Sequence, residues 1–294
     1  MPEVGTLSTR VRLPRSRTPR VLILGDRIKS EVPLLARRLK TFLKDRAQVV
    51  GVDLRRHHGK IKNRPDLVLV LGGDGALLAA SHRLDGHRPP VIGVNFGSVG
   101  FLAAVAPDRV EEILEDVLNG KGRCENRAMM RVQVKRKGKM RLDTHILNDV
   151  VLSRGPGASL LGIQLHADRR PVCSYRGDGL VLSTATGSTA YNLSAGGPIL
   201  GPSLEAWVVT PIAPHMVGTR SLVLPGKRVA ILKVDAPAVL TADGHVEKAL
   251  LPEDQVKASP SGRIFRLVVD PKNLFYSRLR GKLHWGASPG PGQA

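Results

Sequence analysis

The stretch that most constrains this chain is residues 67–80, LVLVLGGDGALLAA. Its first five residues are apolar without polar alternation, which predicts a strand that is buried on both faces. Three glycines around Asp74 follow, and then residues that favour helix, so the stretch predicts strand, glycine-rich turn and helix. Such a turn presents backbone N–H groups and the positive end of a helix dipole to a phosphate. The pattern is neither a Walker A loop nor G-x-G-x-x-G.

Asp74 is unusual in a phosphate-binding turn, because a carboxylate repels a phosphate. It fits there if it takes a proton from a hydroxyl or holds a metal, which points to phosphoryl transfer to an alcohol. It also fits as the N-cap of the following helix, since Asp is a preferred residue at that position. Residues 67–80 leave both interpretations open.

Buried strands alternate with helical patterns up to about residue 120. Apolar runs at 21–25, 48–52 and 91–94 predict strands, and the repeats at 32–43 and 110–118 predict helices. This alternation predicts an open, mostly parallel α/β domain. Ligands of such sheets bind beyond the carboxyl ends of the strands, where the turns at 72–75 and 95–100 are expected to lie.

From about residue 129 the pattern changes to short extended runs separated by Gly and Pro. A possible helical turn near 189–195 is the exception, so we predict an all-β domain of two packed sheets. Residues 1–19 carry four arginines and one acid, and residues 286–294 read GASPGPGQA. Both ends are predicted to be disordered, as a basic arm and a tail, and a chain spanning 20–285 is expected to keep its thermal midpoint and its rate.

Composition narrows the function. The chain has 45 basic and 25 acidic residues, a net charge of +20, which attracts polyanions. Aromatic residues make up only 3%, too few for a base-stacking surface, so no nucleic-acid partner is expected. No apolar run approaches the roughly 18 residues of a membrane helix, so no membrane partner is expected. Cys124 and Cys173 lack metal-ligand or disulfide spacing, which indicates a reducing, cytoplasmic compartment and no protein-held metal.

Three further polar clusters stand out. Asn148-Asp149 interrupts an apolar run, and it suits either a nucleobase edge or ribose diol, or an Asx turn. Residues 176–198 are rich in hydroxyls directly after a predicted strand, which suits the ribose and phosphates of a nucleotide. Asp243-Gly244-His245 is most simply a hairpin turn.

In this order, these segments resemble the NAD kinase family. The matching segments are LGGDGALL at 71–78, NFGSVGFL at 95–102, LND at 147–149, DGLVLSTATGSTAYNLSAGGPIL at 178–200 and FYSRLRGKL at 275–283. The resemblance runs from about residue 20 to 284. The Gly-Gly-Asp-Gly turn is shared with lipid kinases, whereas the long motif at 178–200 is specific.

The resemblance implies a reaction and a fold. The family transfers a phosphoryl group from ATP, with a divalent metal (Mg²⁺), to the 2′-hydroxyl of the adenosine ribose of NAD, giving NADP. Its members have a Rossmann-like α/β N-terminal domain followed by a β-sandwich NAD-binding domain, and they commonly form homodimers or homotetramers. The C-terminal segment returns to the first domain. The corresponding boundaries here are 20–128, 129–262 and 263–285.

The resemblance also implies residue roles. Asp74 would be the catalytic base, and Gly72, Gly73 and Gly75 would form the phosphate loop. The implied substrate-binding residues are Asp74, Gly75, Asn148, Asp149, Arg176, Asp178, Thr189, Ala190, Tyr191, Asn192, Leu193, Ser194 and His245.

This chain departs from the family pattern at two of these positions. Asp149 stands where Glu is more frequent, and the shorter side chain leaves room for a bridging water. His245 stands where Gln is frequent. The sequence does not decide whether polyphosphate can replace ATP as the phosphoryl donor. The alternative functions are a lipid kinase of the diacylglycerol or sphingosine type, and a non-enzymatic polyanion-binding protein.

Overall fold

A computed structural model describes residues 8–14, 16–55, 59–97, 100–155 and 160–285. Three parts of the predictions lie outside the described residues. They are the predicted tail at 286–294, residues 1–7 of the predicted arm, and residues 98–99 of the second glycine-rich turn. None of the helices in the described ranges combines the length and the apolar character needed to cross a bilayer.

The elements alternate between strand and helix in the first part of the chain and are mostly strands afterwards. The strands are β1 (Ser8–Arg10), β2 (Arg20–Gly25), β3 (Gln48–Asp53), β4 (Leu67–Leu71), β5 (Pro90–Val94), β6 (Arg123–Arg136), β7 (Lys139–Ile146), β8 (Asp149–Arg154), β9 (Leu161–Ala167), β10 (Arg170–Gly177), β11 (Gly179–Thr184), β12 (Ala206–Ile212), β13 (Leu222–Pro225), β14 (Ala230–Val234), β15 (Ala238–Ala242), β16 (Val246–Leu250) and β17 (Asp254–Val268). The helices are α1 (Glu31–Leu43), α2 (Asp74–Leu84), α3 (Val110–Leu118), α4 (Tyr191–Ser194) and α5 (Phe275–Leu283), and a 3₁₀ helix spans Gly187–Thr189.

The chain divides into two compact units. The α/β unit contains residues 8–83, 89–125 and 266–285. Its parallel strands lie in the order β5-β4-β2-β3, and Arg266 and Leu267 at the end of β17 pair in parallel with β5. The predicted parallel α/β domain and the return of the C-terminal segment to it are therefore confirmed.

Helices cover both faces of this parallel sheet. On one face, alternate strand residues such as Leu69 and Ile92 share a buried cluster with Leu39 of α1 and Leu114 of α3. On the other face, Leu77 of α2 packs over a glycine of β5. Burial on two sides explains why these strands show no polar alternation.

The N-terminal arm is ordered from residue 8 onward in the described ranges. β1 pairs antiparallel with residues 123–125, and Val11 is 1% exposed and donates its N–H to Gly122 at 2.8 Å. Arg17 forms two hydrogen bonds with Asp66, at 2.7 and 2.8 Å. The prediction of disorder is therefore wrong for residues 8–14 and 16–19. A three-residue strand is too short to show a periodicity in the sequence. Its pairing partner also lies more than a hundred positions away, beyond any local pattern.

The β unit contains residues 84–88 and 126–265. One antiparallel sheet has the order β13-β12-β11-β8-β15-β16. The other includes β10-β9-β14-β17 and the β6–β7 hairpin. Residues such as Ile163 and Leu232 on one sheet and Leu152 and Leu182 on the other share a single buried core. The predicted β-sandwich is thus confirmed.

Candidate active site

Asp74 is the first residue of α2, directly after the glycine-rich turn, and its carboxylate binds a second loop of the α/β unit. Oδ2 accepts the N–H of Phe101 at 2.9 Å, and Oδ1 accepts the N–H groups of Leu102 and Ala103 at 3.1 and 2.8 Å. An N-cap carboxylate would accept N–H groups of its own helix. The N-cap interpretation is therefore wrong, because the carboxylate anchors residues 101–103.

This arrangement leaves the carboxylate with one directed acceptor site. A carboxylate oxygen has about two lone-pair sites, so Oδ1 is saturated by two donors while Oδ2 keeps one site. Gly100 packs directly against the carboxylate, since a Cβ on Gly100 would overlap Oδ1. By contrast, a Cβ placed on Gly75 would meet no atom of the described residues outside its own helix within 4 Å. The N–H groups of Ala76 and Leu77 donate to the carbonyl of Gly73 at 3.0 and 3.4 Å, which leaves those of Asp74 and Gly75 without an intrahelical acceptor. The Gly72–Gly75 turn therefore combines room for a phosphate with a fixed acceptor.

The C-terminal segment fixes the loop that Asp74 binds. The ring of Phe101 lies 6.4 Å from that of Phe275, centroid to centroid, and Lys282 of α5 lies 4.9 Å from the centre of the Phe101 ring. Asn273 donates its side-chain amide to the carbonyl of Ala104 at 2.8 Å. These supporting residues were missed by sequence reasoning, because the contacts join segments far apart in the chain.

In the β unit, Asn148 and Asp149 lie where β7 ends and β8 begins. Asn148 is 8% exposed, and its Oδ1 has no hydrogen-bond partner within the described part of the chain. Burial, and then the nearby charge of Asp243, raise the pKa of Asp149 to about 7, although the backbone N–H of Tyr191 acts in the opposite direction. A buried amide oxygen without a protein partner is costly, so Asn148 Oδ1 calls for a hydrogen-bond donor from a ligand or an ordered water.

In the hydroxyl-rich segment, the hydroxyls of Thr184 and Ser188 form hydrogen bonds with nearby backbone groups. Thr184 Oγ1 donates to the carbonyl of Leu147 at 2.6 Å and accepts the N–H of Gly187 at 3.1 Å. Ser188 Oγ donates to the carbonyl of Ala185 at 2.7 Å. The expectation that these hydroxyls contact a nucleotide is thus not met at Thr184 and Ser188, which are buried and bonded internally.

The side chain of Asn192 also forms its hydrogen bonds within the protein. Its Nδ2 donates to the carbonyls of Ser188 and Pro198 at 2.9 and 3.0 Å, and its Oδ1 accepts the hydroxyl of Thr210 at 2.6 Å. We therefore assign its side chain a structural role, in place of the substrate contact that the resemblance implied. Tyr191, by contrast, is 46% exposed at the start of α4.

The remaining predicted residues fall into two groups. Thr189 ends the 3₁₀ helix, Ala190 joins it to α4, and Leu193 and Ser194 lie in α4 with Tyr191. Arg176 is exposed on β10. Asp178 lies just after the end of β10, and its Oδ1 is 2.8 Å from Nε of Arg154. Neither Arg176 nor Asp178 has a described contact with Asn148 or Asp149.

His245 lies in the β15–β16 hairpin turn, as the default interpretation predicted, with Nδ1 2.5 Å from the carbonyl oxygen of Asp243. Asp243 itself was not predicted as a site residue, although it binds the Leu147–Asp149 segment directly. Asp-Gly occurs at 85–86 and 178–179 as well as at 74–75 and 243–244, so the dipeptide was only a weak sequence signal for Asp243.

A parallel α/β unit with an acid in its glycine-rich turn and a β-sandwich with a polar cluster are the features of the class of two-domain kinases that carry a Gly-Gly-Asp-Gly turn. The ATP-NAD kinase N-terminal domain model matches residues 37–122, and the ATP-NAD kinase C-terminal domain model matches residues 147–269. The chain belongs to the NAD kinase family.

Individual proteins agree with this assignment. The chain is 40% identical to an NAD kinase of Syntrophotalea carbinolica, over 86% of this chain and 90% of that protein. It is 37% identical to an NAD kinase of Azotobacter vinelandii, over 92% and 97%. A yeast NADH kinase, solved in complex with NADH, shares the fold with a TM-score of 0.85 at 22% identity, over 97% of this chain and 94% of that one.

Proposed function

We propose that this chain phosphorylates NAD with ATP as the donor, forming NADP and ADP. The observation that carries this proposal is the match of ATP-NAD kinase models to both the α/β and the β part of the chain. The lipid-kinase and polyanion-binding alternatives are not supported by these matches. Net charge alone favours the second of them, and charge does not identify a function.

Asp74 is the general base in this proposal. As the 2′-oxygen of the adenosine ribose attacks the γ-phosphorus, the free lone pair of Oδ2 accepts the 2′-hydroxyl proton. The new oxygen–phosphorus bond forms while the bond between the β–γ bridging oxygen and the γ-phosphorus breaks, and ADP leaves. The N–H groups of Phe101, Leu102 and Ala103 keep the carboxylate in one orientation, which reduces the entropy lost in reaching the transition state.

Asn148 and Asp149 bind NAD in this proposal. The buried Oδ1 of Asn148 accepts a hydrogen bond from a hydroxyl or amide of the dinucleotide, which satisfies an otherwise costly group. Asp149 binds the ribose and nicotinamide half, directly or through a water. The exposed ring of Tyr191 stacks or packs against the adenosine, with the backbone of 189–194 around it.

The divalent metal is proposed to arrive with ATP. Among the described residues, no group of three or more His, Cys, Asp or Glu side chains could hold an ion. Mg²⁺ commonly binds through substrate phosphates and one or two carboxylates, so this chain fits a metal carried mainly by the nucleotide. When bound, Mg²⁺ neutralises charge on the transferring phosphoryl group.

A cytoplasmic, homo-oligomeric enzyme completes the proposal. Cys124 and Cys173 are both free thiols, which supports a reducing compartment. A homodimer or homotetramer is supported by family membership.

The direct test is turnover. Purified protein is incubated with Mg-ATP and NAD, and NADP is detected with an NADP-specific dehydrogenase. Parallel reactions contain NADH, diacylglycerol, or polyphosphate in place of ATP. NADP from NAD and ATP is expected. Phosphatidate as the sole product, or no turnover with any acceptor, would exclude the proposal.

Asp74→Asn tests the base. Asparagine cannot take the proton, so turnover should fall by on the order of 10²–10⁴. The thermal midpoint should also fall, because the amide Nδ2 would face a backbone N–H of the 101–103 loop. NAD binding, measured by calorimetry, should persist. Turnover within about threefold of the parental protein would remove Asp74 from the chemistry.

A further inference from the structure

The side chain of Asp243 is buried in a tight turn. This turn joins β15 to β16, and in it Asp243 has a φ of 47° and Gly244 a φ of 66°. Its side chain is 3% exposed. A non-glycine residue in the left-handed region and a carboxylate away from water both cost free energy, so such an arrangement needs compensating bonds.

Those bonds come from three consecutive residues of the NAD-binding segment proposed above. Oδ2 of Asp243 accepts the N–H of Leu147 at 2.8 Å, and Oδ1 accepts those of Asn148 and Asp149 at 2.8 and 3.2 Å. In the other direction, the N–H of Asp243 donates to the carbonyl of Asp149 at 2.9 Å. Four hydrogen bonds thus tie the turn to a three-residue segment.

We propose that Asp243 is a positioning residue for NAD, which holds the backbone of 147–149 so that Asn148 and Asp149 face the dinucleotide in one geometry. This inference rests on the proposed function. Asp243 does not itself contact substrate in this account. Within the described part of the chain no hydrogen bond orients the side chain of Asn148 at its Oδ1, whereas its backbone N–H is held by Asp243.

Asp243 also acts on Asp149 through charge. The negative charge of Asp243 adds to burial in raising the pKa of Asp149, while His245 lies in the same turn against the Asp243 carbonyl. Removing that charge lowers the pKa of Asp149. The inflection in NAD affinity that belongs to Asp149 should therefore move to lower pH, which a purely structural residue would not cause.

The experiment compares Asp243→Asn with a matched control, Asp254→Asn. Asp254 is also a buried acid of the β unit, 2% exposed, and accepts the N–H of Leu251 at 2.8 Å. It pairs with Arg136 through two bonds of 2.8 Å and lies at the far end of the β15–β16 hairpin from Asp243. Both substitutions should lower the thermal midpoint.

Only Asp243→Asn should change NAD recognition. We expect its Kd and KM for NAD to rise about tenfold, the equivalent of one lost buried hydrogen bond, with a smaller change in kcat. The inflection of log Kd between pH 5.5 and 8.5 should shift to lower pH. Asp254→Asn should keep Kd within about twofold and leave the inflection in place. A destabilised Asp243→Asn with parental Kd and inflection would overturn the inference.

A second pair of variants decides the question if Asp243→Asn does not fold. Gly244→Ala strains the same turn at φ 66°, and Gly262→Ala strains a left-handed position within β17 at φ 65°. Neither Cβ would meet an atom of the described residues within 4 Å. Gly244→Ala should weaken NAD binding about threefold while Gly262→Ala should not. Equal effects would refute the positioning role. If the parental protein neither binds nor phosphorylates NAD, the proposed function fails instead.

Discussion

The contact between Gly100 and Asp74 makes Gly100→Ala the most informative substitution in the α/β unit. A Cβ on Gly100 would lie 2.6 Å from Cγ and 2.9 Å from Oδ2 of Asp74, in addition to overlapping Oδ1, whereas ordinary contacts begin at 3.4 Å. The substitution therefore acts through the displaced carboxylate.

The size of the effect follows from that displacement. Restoring ordinary contacts moves Cγ of Asp74 by roughly 0.8 Å and Oδ1, which lies closer to the Cβ, by more than about 1 Å, which breaks at least one of the carboxylate's bonds to residues 101–103. A hydrogen bond to a charged group contributes about 1.5–3 kcal/mol. At about 2–4 °C per kcal/mol, the thermal midpoint should fall by roughly 3–12 °C. A misplacement of about 1 Å in a reacting group costs on the order of 10² in rate.

Gly97→Ala is the control, because it lies in the same loop and, of the atoms in the described residues, none would lie within 4 Å of its Cβ. Initial rates of NADP formation at saturating Mg-ATP and NAD are compared with thermal midpoints for both variants. Gly100→Ala should lose about a hundredfold in kcat, and Gly97→Ala should stay near the parental rate. If Gly100→Ala turns over within about threefold of the parental protein, the placement of the Asp74 carboxylate is not what the reaction depends on.

Three further outcomes are expected. A variant spanning 20–285 should melt several degrees lower than the full chain in differential scanning calorimetry, since it loses β1 and the buried Val11, whose burial contributes about 1.5–3 kcal/mol; an unchanged midpoint would show that β1 adds nothing. Asp149 has a folded pKa of about 7 against an ordinary 3.8, so its contribution to stability is complete below about pH 4 and is lost as the pH rises through 7. The thermal midpoint should accordingly fall between pH 5 and 8 more steeply for the parental protein than for Asp149→Asn, and parallel curves would contradict the shift. Polyphosphate should inhibit ATP-dependent turnover, and the inhibition should weaken between low and physiological ionic strength; salt-independent inhibition would rule out electrostatic attraction as its cause.

The sequence predicted what is encoded locally. The strand at 67–71 and the helix at 110–118 have the predicted bounds, because uninterrupted apolar runs and amphipathic repeats report burial within a few residues. The partners of Asp74 lie 27 to 29 positions away and those of Asp243 lie 94 to 96 positions away. No local pattern contains such contacts. The sequence therefore identified Asp74 as a site residue, but not the loop that its carboxylate binds, and it did not identify Asp243.

Composition also misled the interpretation of the hydroxyl-rich segment. A hydroxyl that binds a nucleotide and one that bonds a buried carbonyl are the same residue type. At Thr184 and Ser188 the second role applies, since Thr184 bonds the carbonyl of Leu147 next to Asn148 and Ser188 bonds the carbonyl of Ala185. Sequence alone could place the cluster at the site, but it could not separate the residues that touch a ligand from those that support them.

The discontinuous α/β unit has a consequence for how the protein is made. The two ends of β5 gain their second neighbour at different times. Val94 pairs with Val105, which follows closely in the chain, whereas Pro90 and Val91 pair with Arg266 and Leu267, which are synthesised about 170 residues after β5 itself. At 5–20 residues per second, translation leaves Pro90 and Val91 without that partner for roughly 9–34 s. Pro90 has no backbone N–H to offer, which limits the pairing of this open end with another chain. The first sheet is therefore completed late in synthesis, by the end of β17.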